Sequence, residues 1–558
     1  MFESIMEGVG AVNGWLWGPW AFVLLAVAGI FFSVCTKFVQ YRSLTHGVQC
    51  VRGVYDDPDD PGAINHFQAL MAALSATIGL GNIGGVALAI GLGGPGALFW
   101  MWILGFLGMA LKTAEITLAM IYRNTDDPDN PHGGAMWVID RTLGSQGGWK
   151  AVAGKTMAFF FCTCLIVSTM TGGNMFQSWN VADLSNTYFG IPKIGTGILL
   201  ATLVGMVIIG GIKRIGNVAG RLVPFMCVIY VLSALAVIFA NIVDVPGLLA
   251  LVVRSAFSPT EAAGAFTGGV FGTALAIGVK RALFSNEAGQ GSAPIAHAAA
   301  KTSEPAREGI LGGIGPFIDT IIICTLTALV ILTTGTWNRD PLGEIAGGVS
   351  IVENGDSSQL LASTSVSDLP DPGDGTSWQV GGAVFLLIDT PEDGRQKLQG
   401  NLLGPRRLAE TIEWEVPPPG AKLTMTGVYR DFKGAALTAH AFDRQFPGLG
   451  KYLVTLAAWF FAISTMISWS YYGEQGVVYM FKGRFVLPYK VLFLVLAIIA
   501  PIVVGTDAEL ADLADFGTGW MLWANLPIVL LMGMHSVRSI SDYNRRLDAG
   551  EFVRRDGR

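Results

Sequence analysis

Residues 75–85, Ser-Ala-Thr-Ile-Gly-Leu-Gly-Asn-Ile-Gly-Gly, place glycines and polar side chains inside an otherwise apolar stretch. Glycine disfavours a continuous helix, and backbone left unpaired at membrane depth survives only where it lines a protected cavity. A helix broken here would present N–H groups in one direction and carbonyl groups in the other. The first set suits a carboxylate and the second a small cation, so the segment predicts a transporter binding site.

The break, expected near 79–81, would bring two kinds of backbone group to one point. The N–H groups of Leu80, Gly81 and Asn82 would cap the outer half-helix and bind a substrate carboxylate, as helix N-termini bind anions. Oxygens at the end of the inner half would bind sodium, because hard cations prefer oxygen ligands. The predicted sodium ligands here are Ser75, Thr77, Ile78 and Asn82, and Thr77 is also expected to contact the substrate. Alternatively, the glycines serve only close packing of membrane helices.

Two further polar groups interrupt apolar stretches. Ser464 and Thr465, with a freed carbonyl at Phe461, would complete the oxygen cage around sodium, and Trp469 shares a helix face with Thr465. Asn174 and Gln177 are three residues apart and would hydrogen-bond the ammonium or side chain of the substrate. The competing interpretation for both groups is structural, since such side chains also satisfy backbone carbonyls or join helices in membranes.

Composition assigns the chain to a membrane. It has 558 residues, of which 51% are hydrophobic and 14% charged, against roughly 25% charged in an ordinary soluble protein. Many uncharged windows reach the ~20 residues that a spanning helix needs, which excludes a globular soluble enzyme, and nothing points to nucleic acid. We predict an all-α polytopic protein with about eleven spans: 17–37, 67–90, 95–121, 156–180, 193–212, 217–240, 265–284, 310–334, 451–481, 486–505 and 515–536.

Lysine and arginine accumulate in alternate loops between these spans. The positive-inside rule then places the N-terminus outside the cell and the C-terminus in the cytoplasm of a plasma (inner) membrane protein. Without the first span, ten remain, and two sets of five must insert in opposite orientations. The first helix of the second set is also interrupted by glycine, at 266–272, and paired broken segments predict a site between inverted repeats.

The resulting organisation has six parts. Between the spans of the second repeat lies an acidic, turn-rich insertion with apparent strands. We expect it to form a small β-rich extracytoplasmic unit without a catalytic constellation, and a role in binding a protein partner is open to it. The predicted divisions are 1–66 (N-terminal helix and loop), 67–240 (first repeat), 241–336 (start of the second repeat), 337–433 (insertion), 434–536 (entrance helix and last three helices) and 537–558 (cytoplasmic tail).

Charges within the spans are few, and each is predicted near a cytoplasmic end: Lys112, Glu115, Lys280, Arg281, Asp319 and Glu474. Lys112 and Glu115 have the spacing of a helical ion pair, which favours structural or gating roles over direct binding. Since no acidic residue is expected at mid-membrane depth, sodium is a better coupling ion than a proton. The glycine-rich turn at 284–297 is interpreted as an inner-gate loop.

Several long motifs carry a resemblance to a known family. They are Ala73–Ala87, Gly93–Trp102, Phe284–His297, Asp319-Thr320 with Cys324-Thr325, Gly434–Ala439 and Trp469–Glu474. In these motifs the chain resembles the alanine or glycine:cation symporters, and Gly-Leu-Gly-Asn at 79–82 also resembles the first broken helix of neurotransmitter:sodium symporters. The insertion at 337–433 departs from the family pattern.

The resemblance implies a LeuT-type fold of two inverted five-helix repeats with one extra N-terminal helix. It implies sodium-coupled uptake of a small neutral amino acid, alanine or glycine, by alternating access, with no cofactor besides the ion. Sodium would lie between the second and ninth spans. The amino acid would lie between the second, fourth and seventh, near Gly268, with Phe271 and Trp469 as walls. The open alternatives are an amino-acid sensor with a transporter fold and a proton-coupled carrier.

Overall fold

The chain was analysed as a computed structural model that describes residues 2–257, 273–354, 357–371, 378, 382–391, 394–403, 411–432, 434–504 and 507–554. Most of these residues are helical. The principal helices are α1 Phe2–Leu16, α2 Pro19–Cys35, α3 His66–Thr77, α4 Gly81–Gly93, α5 Gly96–Ile121, α6 Ala135–Thr142, α7 Trp149–Met170, α8 Phe176–Phe189, α9 Lys193–Ile208, α10 Gly211–Ala240, α11 Val245–Ser255, α12 Thr273–Asn286, α13 Ala293–His297, α14 Pro305–Gly312, α15 Cys324–Thr333, α16 Ala435–Gln445, α17 Gly450–Phe481, α18 Val486–Val503 and α19 Asp507–Asp548.

Eight helices within the described residues are long and apolar enough to cross a membrane, and the bent pair α3–α4 makes up to nine. Eight of the predicted spans coincide with these long helices, and 67–90 coincides with the bent pair. The predicted span 193–212 corresponds to α9, which has 16 residues, and 265–284 overlaps α12, whose upstream part lies outside the described residues. The count of eleven therefore stays a prediction.

The outer faces of these helices are apolar. Along α2, Val23, Val27, Ile30 and Val34 recur at helical spacing and are all more than half exposed. Such a stripe is unfavourable in water and typical of a surface that faces lipid. The polar residues lie inside instead: Ser75, Asn82 and many other buried polar groups face neighbouring helices. The molecule therefore has the inside–outside arrangement of a multi-pass membrane protein.

A small antiparallel β unit follows α15. Its strands are β1 Gly343–Glu344, β2 Ser350–Asn354, β3 Ser357–Leu361, β4 Ala383–Thr390, β5 Gly394–Leu403, β6 Thr411–Trp414, β7 Lys422–Leu423 and β8 Gly427–Arg430. The main sheet has the order β1-β8-β4-β5-β6, β7 also pairs with β4, and β2–β3 form a separate hairpin. Val384, Leu386 and Ile388 alternate along β4 and pack into one apolar core, because alternate residues of a strand share a face.

The β unit leads directly into α16, which lies against the broken span. A Cβ atom built on Gly84 would come within 2.9 Å of the Ala435 backbone nitrogen, so the two backbones touch where only glycine fits. The Thr438 hydroxyl donates to the Ile83 carbonyl at 3.1 Å. These contacts fix α16, and with it the end of the β unit, over α4.

The contact between α4 and α16 predicts a position-specific effect of added volume. Gly84→Ala should lower the stability of the purified protein by about 1–3 kcal/mol, because the backbone of α16 must move to accept the methyl group. Gly91→Ala on the same helix is the matched control, since its nearest neighbour is a leucine methyl group at 3.8 Å. Thermal unfolding in detergent measures both, and equal midpoints for the two variants would contradict this packing.

Candidate functional site

The predicted break in the second span is confirmed. Helix α3 ends at Thr77, Ile78 has an extended backbone, and α4 begins at Gly81 with a bend of 51° between the two axes. The Gly79 N–H, which would donate to the Ser75 carbonyl in a continuous helix, instead donates to Asn82 Oδ1 at 2.9 Å. The break is thus closed by one side chain, and carbonyl groups at the end of α3 are released for other partners.

One set of released oxygens meets α17. The Ser75 hydroxyl donates to the Ser464 carbonyl at 2.6 Å, while the Ser464 hydroxyl approaches the carbonyls of Ser75 at 3.3 Å and Phe461 at 3.0 Å. The buried Thr465 hydroxyl has no hydrogen-bond partner among the described residues and lies against Gly79, where a built Cβ would be 2.6 Å from Thr465 Oγ1. We call Ser75, Phe461, Ser464 and Thr465 the α3/α17 cluster.

The remaining predicted sodium ligands, Thr77, Ile78 and Asn82, are at or just beyond the break. Thr77 and Asn82 face the segment that contains Asp319. Asn82 Nδ2 donates to the Asp319 carbonyl and to the Ser285 hydroxyl, both at 3.0 Å. The Thr320 hydroxyl donates to Asp319 Oδ1, and the Thr77 hydroxyl also faces the Asp319 carboxylate. We call Thr77, Asn82, Ser285, Asp319 and Thr320 the Asp319 cluster.

The predicted sodium ligands therefore divide between two oxygen clusters, one in contact with α17 and the other in contact with Ser285 and the turn at Phe317–Ile323. Ile78 forms the turn between them: its N–H still donates to the Leu74 carbonyl at 2.7 Å, so the helix ends with its last hydrogen bond made. Sequence spacing could not separate the two clusters, because each depends on which distant helix packs against the break.

The position predicted for Asp319 is wrong. From the sequence, this residue was predicted near a cytoplasmic end, and no acidic residue was expected at mid-membrane depth. The membrane-spanning segment runs from Pro305 to Thr333, so Asp319 lies near its middle, and the side chain is fully buried. A π-helical turn over Phe317–Ile323, a feature frequent at functional sites, places it beside the broken span. A buried carboxylate is therefore present near the middle of a span, and the preference for sodium over a proton cannot rest on its absence.

A small cavity of about 20 Å³ lies beside the break and has room for about one ordered water molecule. Four predicted substrate residues line it: Thr77, Gly81, Gln177 and Trp469. Its other walls are Ala76, Gly79, Ser168, Gly172, Phe284, Glu287, Gln290, Thr465 and Thr518. Because the cavity is this small, a bound amino acid requires the surrounding side chains to move apart.

The other predicted substrate residues have different positions. Leu80 lines a separate outer cavity, and Asn82 lies in the Asp319 cluster. Asn174 does not line the small cavity; its side chain donates to the Phe493 carbonyl at 2.6 Å, which is the helix-joining role left open as the alternative. Gly268 and Phe271 lie outside the described residues.

Glu287 lines the small cavity and was not predicted as a site residue. The glycine-rich segment interpreted as an inner-gate loop returns into the bundle, where Glu287 adopts a left-handed backbone with φ of 55°. Its carboxylate accepts a hydrogen bond from the Ser292 hydroxyl at 2.5 Å, and the Trp469 side chain also faces it. The signal was available: a carboxylate amid glycines is an unusual choice for a loop that only connects helices.

Lys112 and Glu115 do not form the predicted ion pair. Lys112 donates to the Asn286 carbonyl at 2.9 Å, while Glu115 accepts from the Gly289 N–H at 3.2 Å and from Asn525 at 2.5 Å. Two other charges do form ion pairs: Lys280 pairs with Asp515, and Glu474 pairs with Lys490 at 2.9 Å. Helical spacing was a poor guide here, since these buried charges pair with, or hydrogen-bond to, other elements.

An outer cavity of about 390 Å³ lies between the broken span and the β unit. Gly81 and Phe284 line both this cavity and the small one, so the Phe284 ring separates them. The ring lies directly on the break, 2.7 Å from a Cβ built on Gly81, and makes an edge contact with Phe176. Lys397 and Gln399 of β5 reach the outer cavity, so the β unit forms part of its wall.

A bundle of lipid-facing helices that encloses a polar cavity beside a broken span defines a multi-pass membrane transporter. Comparison with known proteins gives the family: a model of the sodium:alanine symporter family matches residues 2–366 and 420–555. The chain belongs to this family. Between these two ranges 367–419 is unmatched, so the segment that departs from the family pattern is shorter than the expected 337–433.

Individual relatives agree with this assignment. The sodium/alanine symporter AgcS of Methanococcus maripaludis is 35% identical over 539 residues, 96% of each chain. A Bacillus subtilis protein described as the putative sodium/proton-dependent alanine carrier protein YrbD is 32% identical over 546 residues, 97% of this chain and 93% of that one. The probable sodium/glutamine symporter GlnT of the same organism is 39% identical over 346 residues, 62% of this chain and 69% of its own.

Because the side-chain amide of Asn82 closes the break, removing that amide should destabilise the protein. Asn82→Ala should lower stability by about 1–3 kcal/mol, because the buried Gly79 N–H loses its acceptor. Asn186→Ala is the control, since that amide is exposed and donates to Ile191 at the surface. Thermal unfolding of the two purified variants measures this difference in stability. An unchanged unfolding midpoint for Asn82→Ala would show that the Asn82 side chain does not stabilise the break.

Proposed function

We propose that this protein carries a small neutral amino acid, alanine or glycine, into the cell together with sodium, by alternating access across the plasma membrane. The observation that carries the proposal is the broken span, where released carbonyl groups and a helix N-terminus adjoin one buried cavity. Family membership supports the reaction class, and the names of relatives support alanine as the first substrate to test.

Sodium is proposed to bind at the α3/α17 cluster. Two hydroxyls, the released carbonyl of Ser75 and the carbonyl of Phe461 offer oxygen ligands in one place, although Phe461 lies within the unbroken helix Gly450–Phe481. Sodium is a hard cation that prefers such ligands. Thr465 supports this assignment most strongly, because its buried hydroxyl has no partner among the described residues. Such a group is costly to bury unless a ligand satisfies it.

The amino acid is proposed to bind in the small cavity. Its carboxylate would meet the N-terminal end of α4 at Gly81, which lines this cavity and where the helix dipole favours negative charge. Its ammonium would meet Glu287, together with the side-chain oxygens of Gln177 and Gln290, which have no partner within the described part of the chain. Both signs of a zwitterion then find complementary groups in one cavity.

Walls of the same cavity favour a short side chain. Trp469 and Phe284 are large, rigid walls, and the cavity of about 20 Å³ must widen even for the smallest amino acid. One methylene group changes discrimination by only ~1–3 kcal/mol, so alanine and glycine are expected to overlap as substrates. The name of the relative GlnT makes glutamine the competitor to include.

Alternating access is proposed to use two inverted repeats of five helices, preceded by one extra helix, with eleven spans in all and the C-terminus in the cytoplasm. The bend between α3 and α4 and the glycine-interrupted segment at 266–272 support this arrangement. The β unit would then lie outside the cell, at the entrance, where it already contributes to the outer cavity.

A proton-coupled carrier is the second candidate function. The buried carboxylate of Asp319 favours it, since such a group can bind a proton in place of a metal ion, and one relative is named as sodium/proton-dependent. Sodium remains the first candidate because Asp319 accompanies a separate cluster of neutral oxygens, which a proton carrier does not require.

Uptake of labelled alanine into proteoliposomes tests the proposal. An inward sodium gradient should drive accumulation above the external concentration, and replacing sodium by choline should abolish it, because the ion supplies the energy. The pH is kept equal on both sides in this experiment. Accumulation driven equally well by a pH gradient without sodium would contradict sodium coupling, and binding without accumulation would indicate a sensor.

The proposed sodium ligands give a further prediction. Thr465→Ala should raise the sodium concentration for half-maximal uptake roughly 3- to 10-fold, the equivalent of one lost oxygen contact. Thr202→Ala serves as control, since that exposed hydroxyl only caps a carbonyl of its own helix. An unchanged sodium dependence for Thr465→Ala would show that the ion binds elsewhere.

A further inference from the structure

Lys112 of α5 carries a positive charge into the interior of the helical bundle. Its side chain is only 1% exposed, and its ammonium donates to the Asn286 carbonyl at 2.9 Å. Within the described residues this ammonium forms no direct ion pair with a carboxylate. An ammonium group has three donors, and a buried charge without a balancing charge is very costly. The position of Lys112 therefore requires an explanation.

Two segments that face the binding region meet at this ammonium. Asn286 is the last residue of α12 and directly precedes Glu287, which lines the small cavity. A Cβ built on Gly315 would be 3.4 Å from Lys112 Nζ, and Gly315 precedes Asp319 by four residues. The ammonium therefore lies between the segments that carry Glu287 and Asp319.

Three buried carboxylates share this one cation. Glu115, Glu287 and Asp319 are all buried, and Lys112 is the electrostatic neighbour common to the three. Opposite charges attract more strongly inside a protein than in water, because the effective dielectric constant is lower. Lys112 can consequently stabilise all three carboxylates without touching any of them, as a common countercharge rather than as half of one ion pair.

The hydrogen-bond donors to these carboxylates do not cancel their charge. They are neutral groups, among them the Gly289 N–H and Asn525 for Glu115, Ser292 for Glu287, and Thr320 for Asp319. Neutral donors satisfy the carboxylate oxygens but leave the negative charge in place. Any cation that binds near the break therefore enters a field produced by these carboxylates and opposed by Lys112.

We propose that Lys112 is the fixed countercharge of the binding region and sets how tightly that region holds cations. The proposal rests on the proposed function and deepens it, since it explains how a site that attracts sodium and an ammonium group also releases them. Lys112 contacts neither ligand and is a positioning residue that acts through the carboxylates. In the empty protein its charge balances theirs, and with the ligands bound it repels the two cationic groups.

A structural role alone would require less than a charge. The bond from Lys112 to the Asn286 carbonyl caps the C-terminal end of α12, where the helix dipole also favours a cation. Loss of that cap would destabilise the fold without strengthening the binding of sodium. The two roles therefore differ in the sign of the effect on sodium affinity.

The test compares three variants with the wild-type protein at constant pH. Lys112→Met removes the charge at nearly the same length, Lys112→Arg keeps the charge, and the double variant Lys112→Met/Glu115→Gln restores the net charge by also removing one carboxylate. Thermal unfolding is measured over a sodium series, with choline keeping the ionic strength constant, because a ligand stabilises the native state once its concentration reaches the Kd. Net alanine uptake into proteoliposomes is compared with exchange of external for internal alanine.

In Lys112→Met, the sodium concentration at which the unfolding midpoint begins to rise should fall ~3- to 10-fold, because a neighbouring positive charge is lost. Net uptake should slow more than exchange, since only net uptake requires the empty protein to reorient. Lys112→Arg and the double variant should both keep the sodium dependence close to that of the wild type. Lys490→Met is the matched control, because that buried lysine pairs with Glu474, and its sodium dependence should be unchanged.

A sodium requirement that is unchanged or higher in Lys112→Met would overturn the proposal, since that is the result expected for the loss of a helix cap. If Lys112→Met does not fold, the double variant decides: folding with wild-type sodium dependence supports the countercharge, and failure to fold contradicts it. If the wild type shows no sodium-driven uptake, the proposed function fails, while the sodium dependence of unfolding still tests the role of Lys112.

Discussion

The hydrogen bond from the Gly79 N–H to the Asn82 side chain is the interaction on which the binding region depends. A helix inside a membrane cannot leave backbone groups unpaired, so a break requires a substitute partner for each group that it releases. Asn82 supplies one within the same segment, and Ser464 supplies another from α17. With those partners in place, the chain exposes carbonyls on one side of the bend and a helix N-terminus on the other without losing its fold.

This constraint also explains why binding and conformational change are linked. The partners of the break come from α17, α12 and the turn at Phe317–Ile323, so a ligand at the break contacts several elements at once. The small cavity is too tight for an amino acid in this conformation, and Phe284 closes it from the outer cavity. Binding of the proposed substrate would therefore move these elements apart, and an ion that orders the break would make that movement less costly.

Local pattern was enough to predict the broken span, the family and the helical membrane architecture. Glycines at 79 and 81 next to Asn82, between apolar runs, are typical of a broken membrane helix. Hydropathy located the long helices. Contacts between distant segments could not be predicted in the same way. Ser75 and Ser464 are 389 residues apart, and Asn82 and Asp319 are 237 apart, so no spacing rule connects them.

Depth in the membrane was the other source of error. Asp319 was predicted near a cytoplasmic end, although it is the tenth of the 25 residues of the predicted span 310–334 and so only three residues from its middle; in the segment Pro305–Thr333 it lies at the middle. Glu287 was missed because a glycine-rich turn usually marks a surface loop. In this fold the turn folds back between helices, and a buried carboxylate there has a role that hydropathy alone cannot reveal.

Equilibrium binding of labelled alanine to the purified protein, measured over a series of sodium concentrations, tests the central claim most directly. If the break holds both ligands, sodium should raise the affinity for alanine, and alanine should raise the affinity for sodium by the same factor, as thermodynamic linkage requires. An alanine affinity that stays constant from sodium-free buffer to saturating sodium would contradict the account.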